Sequence, residues 1–188
     1  MLRIRKATSK DIPIVLLFIR QLAEYEREPQ AVLATEKDLR RDGFGRDPKF
    51  RAVIAKWNNE PVGMAFYFYN YSTWKGRPGI YLEDIIIRRE FRGRGIGKAL
   101  MRYLARIAVA RKCYGIRWEV LDWNKSAIDF YKSLGAGFRD HWRAMQIQGE
   151  DLRQLARTRL LLLPALGRRE SGLDRGLIAH RFDAPQRR

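Results

Sequence analysis

Apolar and polar positions along the chain follow two different periods. Alternating or continuous apolar residues predict strands at residues 1–7, 50–57, 62–71, 79–88, 116–121 and 137–148. Helical spacing, in two cases after a capping box, predicts helices at 12–27, 36–43, 96–108, 125–134 and 150–157. This order of elements predicts one α/β domain, in which a mixed sheet carries helices on both faces.

The pattern changes near residue 158, after which Arg, Leu, Gly and Pro dominate without sustained periodicity. We therefore expect a domain over 1–157 and an extension of unknown role over 158–188. The sequence leaves open whether that extension is an ordered arm, a partner segment or a disordered tail. Its apolar run at 160–163 ends at Pro164, far short of the roughly 20 residues that span a bilayer. A membrane partner is not expected.

Charge and cysteine content narrow the function classes. The net charge is +17, from 38 Lys and Arg against 21 Asp and Glu, which favours an anionic partner such as nucleic acid, an acidic membrane or a phosphorylated cofactor. A single cysteine, Cys113, excludes an internal disulfide, and the isolated His141 and His180 argue against a metal site. Because the first residues also lack the apolar stretch of a signal peptide, we expect a cytoplasmic protein without a metal.

A glycine-rich turn between a predicted strand and a predicted helix is the first candidate site. It reads Arg92-Gly93-Arg94-Gly95-Ile96-Gly97 and is followed by Lys98. Glycines allow a sharp turn and a close approach of a ligand, and the amides at a helix start suit a pyrophosphate. The dinucleotide fingerprint fails because Lys98 stands where its third glycine belongs, and the P-loop spacing fails as well. A tight turn without any ligand remains the alternative.

Arg92, Gly95 and Gly97 match the Arg-x-x-Gly-x-Gly signature, so the turn resembles that of the GNAT acetyltransferases. The similarity extends to seven further segments, in order and spacing, and covers about residues 2–156: 22–26, 36–39, 42–45, 71–76, 81–84, 120–124 and 130–136. Together they resemble the diamine branch, the spermidine/spermine and thialysine acetyltransferases. The resemblance implies a GNAT fold with a central, mostly antiparallel mixed sheet flanked by helices. It also implies direct acetyl transfer from acetyl-CoA to a primary amine, and a homodimer.

The same resemblance implies roles for individual residues. Tyr131 would donate a proton to the CoA sulfur, and Glu83 would remove the ammonium proton through water. The backbone of Ile85, Ile86 and Ile87 would serve the acetyl oxygen and the pantetheine arm. Further cofactor contacts would come from Arg92, Gly93, Arg94, Gly95, Ile96, Gly97, Lys98, Asn124, Lys125, Ser126 and Ala127, and from Tyr131 itself. The amine pocket would be formed by Tyr25, Glu26, Trp74, Glu83, Asp84 and Glu119.

Simple chemistry supports these roles without fixing them. A phenol can protonate a thiolate, and carboxylates with an aromatic face suit a small cation. Taken alone, Tyr131 is typical of a core tyrosine whose hydroxyl is satisfied, but its Asn-x-x-Ala-x-x-Phe-Tyr context favours the functional role. Glu83 and Asp84, as neighbours in a strand, are expected to point to opposite faces and not to form a paired-carboxylate site.

The substrate remains the most open part of the prediction. Polyamine-specific members of the branch carry an acidic residue two positions before the tryptophan, where this chain has Ser72. A strongly basic protein would also repel a long polycation unless its cleft were locally acidic. We therefore expect a short diamine, a lysine-like amine or another aminoalkyl compound. The alternatives are a protein or peptide amine and, in a different class, a basic protein that binds nucleic acid.

Overall fold

The computed structural model describes residues 1–158, so nearly all of the predicted extension lies outside the described residues. The chain divides into two compact units, the first Met1–Phe138 and the second beginning at Arg139. The first unit contains, in chain order, β1 Leu2–Lys6, α1 Ile12–Tyr25, α2 Glu36–Phe44, β2 Arg51–Trp57, β3 Glu60–Ser72, β4 Arg77–Ile87, α3 Ile96–Ala110, β5 Ile116–Arg117 and α4 Lys125–Ser133. The second unit contains α5, Gly149–Arg157.

The five strands of the first unit form one sheet in sequence order, β1-β2-β3-β4-β5. The first three pairings are antiparallel, and β4 pairs with β5 in parallel. The sheet carries α3 against one face and α1 with α2 against the other. The predicted fold class, a mostly antiparallel mixed sheet with helices on both faces, is therefore confirmed.

Each face of the sheet has its own hydrophobic core. On one face Leu100 and Leu104 of α3 pack with buried sheet residues such as Val53 and Leu82. On the other face Val15 and Phe18 of α1 belong to a second cluster that includes sheet residues such as Met64. Full burial of a side chain of this size contributes roughly 1.5–3 kcal/mol. The two clusters fix the β3–β4 hairpin between the helices from both sides.

The start of α1 is held by a buried carboxylate. The backbone N–H and the hydroxyl of Thr8 donate to Asp11 at 2.8 and 2.9 Å, which confirms the predicted capping box. The guanidinium of Arg5 on β1 donates to both oxygens of Asp11, at 2.7 and 2.6 Å. Asp11 is only 4% exposed. The pair therefore ties the first strand to the first helix.

Two strand predictions after α3 differ from the structure. The strand predicted at 116–121 is reduced to Ile116–Arg117. The strand predicted at 137–148 is wrong, because no strand is assigned between residues 118 and 158. Alternation shows which side chains share a face, but a strand also needs a hydrogen-bonded neighbour. The strand β5 that precedes this segment is only two residues long, which leaves too little edge to align a partner.

Two irregularities in β4 shape the region where the site lies. In the register with β3, Asp84 faces Phe66 and Leu82 faces Tyr67, so Glu83 is an extra, bulged residue. The pairing with β5 involves only Ile80 and Tyr81 of β4. Beyond that point β4 and the chain after β5 separate, and the gap between them opens a cavity.

Candidate active site

A cavity of about 680 Å³ lies between the second half of β4, the start of α3, the segment after β5 and α4. Most of the residues predicted for the site line it: Tyr25, Glu26, Glu83, Asp84, Ile85, Ile86, Ile87, Arg92, Gly93, Gly95, Ile96, Gly97, Lys98, Glu119, Asn124, Ser126, Ala127 and Tyr131. Residues up to 106 positions apart in the chain, Tyr25 and Tyr131, thus share one volume, which sequence spacing alone could only suggest.

Three predicted residues are not part of this lining. The guanidinium of Arg94 lies over the rings of Phe91 and Trp57, at 5.2 and 5.7 Å from their centroids. Lys125 is an exposed residue at the first position of α4. Trp74, 65% exposed, lies in the turn between β3 and β4. The roles suggested for these three stay predictions.

Apolar lining residues were not predicted from the sequence as site residues. Trp118, Phe130, Phe91 and Leu22 all contribute to the cavity wall. Aromatic and leucine residues at strand and helix spacing are typical of a core, so nothing in the pattern separates a cavity wall from ordinary packing. The packing of Gly97 gives a partial signal: a Cβ there would lie 3.2 Å from Phe130, so this glycine lets α3 and α4 approach closely.

The glycine-rich turn forms one end of the cavity. Gly93 and Gly95 adopt φ values of 76° and 75°, which is the left-handed region that glycine tolerates best. The first hydrogen bond of α3 runs from the N–H of Ala99 to the carbonyl of Gly95, at 3.0 Å. The amides before Ala99 therefore have no acceptor within the helix, and they lie at the positive end of its dipole. Such an end suits a phosphate or pyrophosphate group.

Four carboxylates give the same cavity a negatively charged part: Glu26, Glu83, Asp84 and Glu119. Burial, reinforced by the charges of Glu83 and Glu26, raises the pKa of Asp84 to about 7. Burial first, and then the charge of Glu119, raises the pKa of Glu83. Burial alone raises the pKa of Glu26. A group of carboxylates that resist ionisation is stabilised by any cation placed among them.

The bulge decides the face of β4 on which Asp84 lies. Tyr81 stacks on Phe68, with ring centroids 5.0 Å apart, and Asp84 faces Phe66 on the same side of β3. Without the extra residue, Tyr81 and Asp84 would lie on opposite faces of β4. The bulge therefore brings Asp84 to the face of Tyr81, while the expectation that Glu83 and Asp84 point to opposite faces stays a prediction.

Tyr131 is a buried tyrosine in the wall of the cavity. The side chain is 8% exposed, and its ring lies against Trp118 and Phe130 at centroid distances of 4.8 and 5.2 Å. Burial first, and then the charge of Glu26, raises the pKa of Tyr131 to about 12. No hydrogen bond of its hydroxyl is found within residues 1–158. A phenol held in its protonated form can act as a proton donor.

Tyr25 connects two walls of the cavity. Its hydroxyl donates to Oδ1 of Asn124 at 3.2 Å, and the same oxygen accepts the N–H of Ala127 at 3.2 Å and so caps α4. The guanidinium of Arg92 lies 4.9 Å from the centre of the Tyr25 ring, while its Nε donates to the carbonyl of Ile87 at 3.1 Å. The end of α1 is thereby joined to the glycine-rich turn and to α4.

The part of the chain that the structure describes contains neither a metal-binding cluster nor a helix fit to span a membrane. Within residues 1–158 no group of three or more His, Cys, Asp and Glu side chains is arranged to hold a metal ion. In the same range no helix is both long and apolar enough to cross a membrane.

Comparisons with known proteins agree with this geometry. Residues 17–136 match the model of the Acetyltransferase (GNAT) family. The chain is 42% identical to the thialysine N-epsilon-acetyltransferase of Bos taurus over 81% of its own length and 96% of the bovine protein. It is 34% identical to spermidine/spermine N(1)-acetyltransferase-like protein 1 of Homo sapiens, over 82% of this chain and 24% of the human protein.

Among solved structures, an integron cassette protein from the mobile metagenome of V. cholerae superposes with a TM-score of 0.71 at 25% identity. The match covers 84% of this chain and 98% of that protein. The sheet, the glycine-rich turn and these similarities lead to one conclusion: the chain has the GNAT fold, belongs to the GNAT acetyltransferase family and is an N-acetyltransferase.

Proposed function

We propose that this protein transfers the acetyl group of acetyl-CoA directly to the primary amine of a small molecule, in a complex that holds both substrates at once. GNAT acetyltransferases use acetyl-CoA as their cosubstrate. The observation that carries the proposal is a single cavity with a cationic glycine-rich turn at one end and four carboxylates elsewhere in its lining. One part suits a phosphorylated cofactor, and the other suits an ammonium group.

The residues around the turn fit the cofactor. The unbonded amides at the start of α3, together with Arg92 and Lys98, would hold the pyrophosphate. A Cβ at Gly93 or Gly95 would meet no atom within 4 Å, so the turn is open toward the cavity. Asn124, Ser126 and Ala127 would contact the pantetheine arm from α4. The half of β4 beyond its pairing with β5 would offer backbone groups of Ile85, Ile86 and Ile87.

The carboxylates would bind the amine and accept its proton. A free alkylammonium has a pKa of about 10 and must lose a proton before its nitrogen can attack. Carboxylates whose pKa is raised are better bases at neutral pH than exposed ones. Glu83 is the proposed base, acting through water, and Asp84 is its neighbour in the cavity lining. Tyr131 would protonate the departing sulfur, and its raised pKa keeps that proton in place.

A small amine is the proposed acceptor class. The bovine relative is named for thialysine and the human one for spermidine and spermine. The net charge of +17 would repel a polycation at a distance, but the carboxylate cluster makes the cavity locally acidic. Ser72 stands where polyamine-specific members have an acidic residue, so we favour a lysine-like amine or a short diamine. A homodimer and a cytoplasmic location belong to the same proposal.

The experiment follows CoA release from acetyl-CoA with a thiol reagent. The panel contains thialysine, lysine, putrescine, spermidine, an aminoglycoside and a basic peptide. Tyr131→Phe removes only the hydroxyl, and we expect kcat to fall by about 10²- to 10⁴-fold. Tyr103→Phe, at a half-buried tyrosine of α3 outside the cavity lining, is the matched control and should keep its rate.

Three results would contradict parts of the proposal. Turnover of the peptide alone would replace the small amine by a protein substrate. Equal rates for Tyr131→Phe and wild type would remove the assigned proton donor. Failure of acetyl-CoA to bind in calorimetry would overturn the proposal as a whole.

A further inference from the structure

A second group of polar side chains lies beyond the cavity, on the face of the sheet that carries Asp84. Arg117, the last residue of β5, is paired with Tyr81 of β4. Residues paired across neighbouring strands project from the same face of a sheet. Tyr81 lies on the face of Phe68 and Asp84, so the side chain of Arg117 lies there as well. The arginine is therefore on the side of the sheet that carries Asp84.

Within the part of the chain that the structure describes, no carboxylate neutralises the charge of Arg117. Its guanidinium lies 4.9 Å from the centre of the Tyr114 ring. Within residues 1–158 this half-buried side chain forms no ion pair with any carboxylate. Stacking on an aromatic ring leaves the N–H groups of the guanidinium free to form a bidentate hydrogen bond. A half-buried arginine in this state suits a carboxylate from outside the chain.

The support beneath Arg117 is built from specific contacts. Nδ2 of Asn70 donates to the hydroxyl of Tyr114 at 2.8 Å, and the buried Oδ1 of Asn70 has no hydrogen-bond partner among residues 1–158. A Cβ at Gly79 would come within 2.4 Å of the Tyr114 ring and 2.6 Å of that oxygen. Glycine at position 79 thus makes the room in which Asn70 and Tyr114 meet. The ring that carries Arg117 is held in a fixed place.

Glu119 provides the opposite charge on the same side. Burial first, and then the charge of Glu119 and a hydrogen bond with it, raise the pKa of Tyr81, so this carboxylate is next to the Tyr81 hydroxyl. The residue between, Trp118, instead packs against Tyr131 on the other side. Arg117 and Glu119 are therefore two positions apart on one face, roughly 6–7 Å along the chain. An α-amino acid head group carries a carboxylate and an ammonium on one carbon, and these two residues complement both.

The distances fit an amino acid with an amine on its side chain. Tyr81 and Asp84 are three positions apart, which is roughly 10 Å at 3.3 Å per residue and less across a bulge. The side-chain nitrogen of lysine lies roughly 7 Å from its carboxylate carbon when six bonds of about 1.5 Å are extended. The arginine side chain covers the remaining distance. The amine can then reach Glu83 and Asp84 while the head group contacts Arg117.

We propose that Arg117 is a specificity-determining residue that binds the carboxylate of an amino acid acceptor, with Glu119 facing the α-ammonium of the same head group. The inference rests on the proposed function and narrows its acceptor to amino acids of about the length of lysine. The reaction is unchanged: the N–C bond forms, the C–S bond of acetyl-CoA breaks, the amine loses one proton and CoA leaves as its thiol. A diamine of equal length lacks the group that Arg117 would bind.

The test compares L-lysine with 1,5-diaminopentane, which has the same chain without the carboxylate. We expect wild type to prefer L-lysine. Arg117→Gln should lower kcat/KM for L-lysine by about 10- to 100-fold, mainly through KM, because a hydrogen bond to a charged group contributes about 1.5–3 kcal/mol. The same variant should acetylate the diamine within about twofold of wild type. Arg117→Glu should reverse the preference, because it attracts the second ammonium of the diamine. Arg111→Gln is the matched control: this arginine stacks on Tyr69 at 5.0 Å, outside the cavity lining.

The outcomes separate this inference from the function on which it rests. Absence of turnover with every amine in wild type would overturn the proposed function itself. Turnover of both acceptors with equal kcat/KM in wild type would overturn the role of Arg117 alone. An equal loss for both acceptors in Arg117→Gln would show a structural role and would also overturn it. Retained activity on the diamine shows that the variant is folded.

Discussion

Replacing Asp84 by asparagine tests whether the acidic cluster is as strained as its burial suggests. The pKa of this carboxyl is raised from 3.8 to about 7 in the folded protein. The folded state therefore binds more protons than the unfolded state between about pH 4 and pH 7, and stability falls as the pH rises through that window. The loss of stability from ionising the buried carboxyl of Asp84 is nearly complete at pH 8 and small at pH 4.

The size of the effect follows from the pKa difference. At 1.36 kcal/mol per pKa unit, a rise of about three units costs at most about 4 kcal/mol, and water entering the cavity reduces this value. Asparagine cannot ionise, so Asp84→Asn should stabilise the protein at pH 8 relative to wild type. At pH 4 the two proteins should differ little, since the wild-type carboxyl is then protonated. The same variant should lose acetyl transfer.

Urea unfolding followed by tryptophan fluorescence at pH 4, 5, 6, 7 and 8 measures the difference in the free energy of unfolding. Asp129→Asn, at an exposed carboxylate of α4, removes the same charge and serves as the control. We expect the Asp84 curve to separate from wild type as the pH rises and the Asp129 curve to stay parallel to it. If both variants give parallel curves, Asp84 titrates like an exposed carboxylate and the reasoning fails.

Two other predictions concern a glycine and an ion pair. Gly95→Ala and its control Gly76→Ala both place a Cβ at a left-handed φ, 75° and 60°, and each should lower the free energy of unfolding by about 1–2 kcal/mol. Calorimetry should show weaker acetyl-CoA binding for Gly95→Ala only. Asp11→Asn should destabilise the protein by about 2–3 kcal/mol at pH 7, because Arg5 loses its buried partner. Since Arg5 lowers the pKa of Asp11, wild type should begin to lose this stabilisation as the pH falls below about 4. Chemical unfolding of wild type and Asp11→Asn at pH 7 and pH 3 measures their difference in the free energy of unfolding, which should be smaller at pH 3.

The elements with strong periodicity were predictable from the sequence. Strands β1 to β4 and helices α1 to α5 lie where the apolar pattern places them, with ends shifted by a few residues. The pattern failed at 137–148 because it records which side chains share a face and contains nothing about the neighbouring strand. The length of β5 decides that question, and Ile116–Leu121 reads as a continuous strand although its last four residues are unpaired.

The members of the site were more predictable than their arrangement. The resemblance to a family named most of the residues that line the cavity, but strict alternation would place Tyr81 and Asp84 on opposite faces of β4, and the structure has them on one face. A bulge has no signature in this segment, since neither Glu83 nor its neighbours is a glycine. The link from Tyr25 to Asn124 joins residues 99 positions apart and depends on where α1 ends relative to α4. Such contacts follow from tertiary packing and not from any local pattern.

The irregular geometry of β4 connects these observations. A regular β4, paired with β5 along its whole length, would leave no gap at the start of α3 and would keep Asp84 on the face away from Tyr81. The extra residue at Glu83 turns Asp84 to the face of Tyr81, and the short pairing with β5 opens the cavity beside it. The same short pairing leaves Arg117 at the last paired position of β5, where its side chain lies on the same face as Asp84. The chemistry of the site thus depends on two interruptions of the sheet, both of them within a strand that is otherwise anchored by a core on each side.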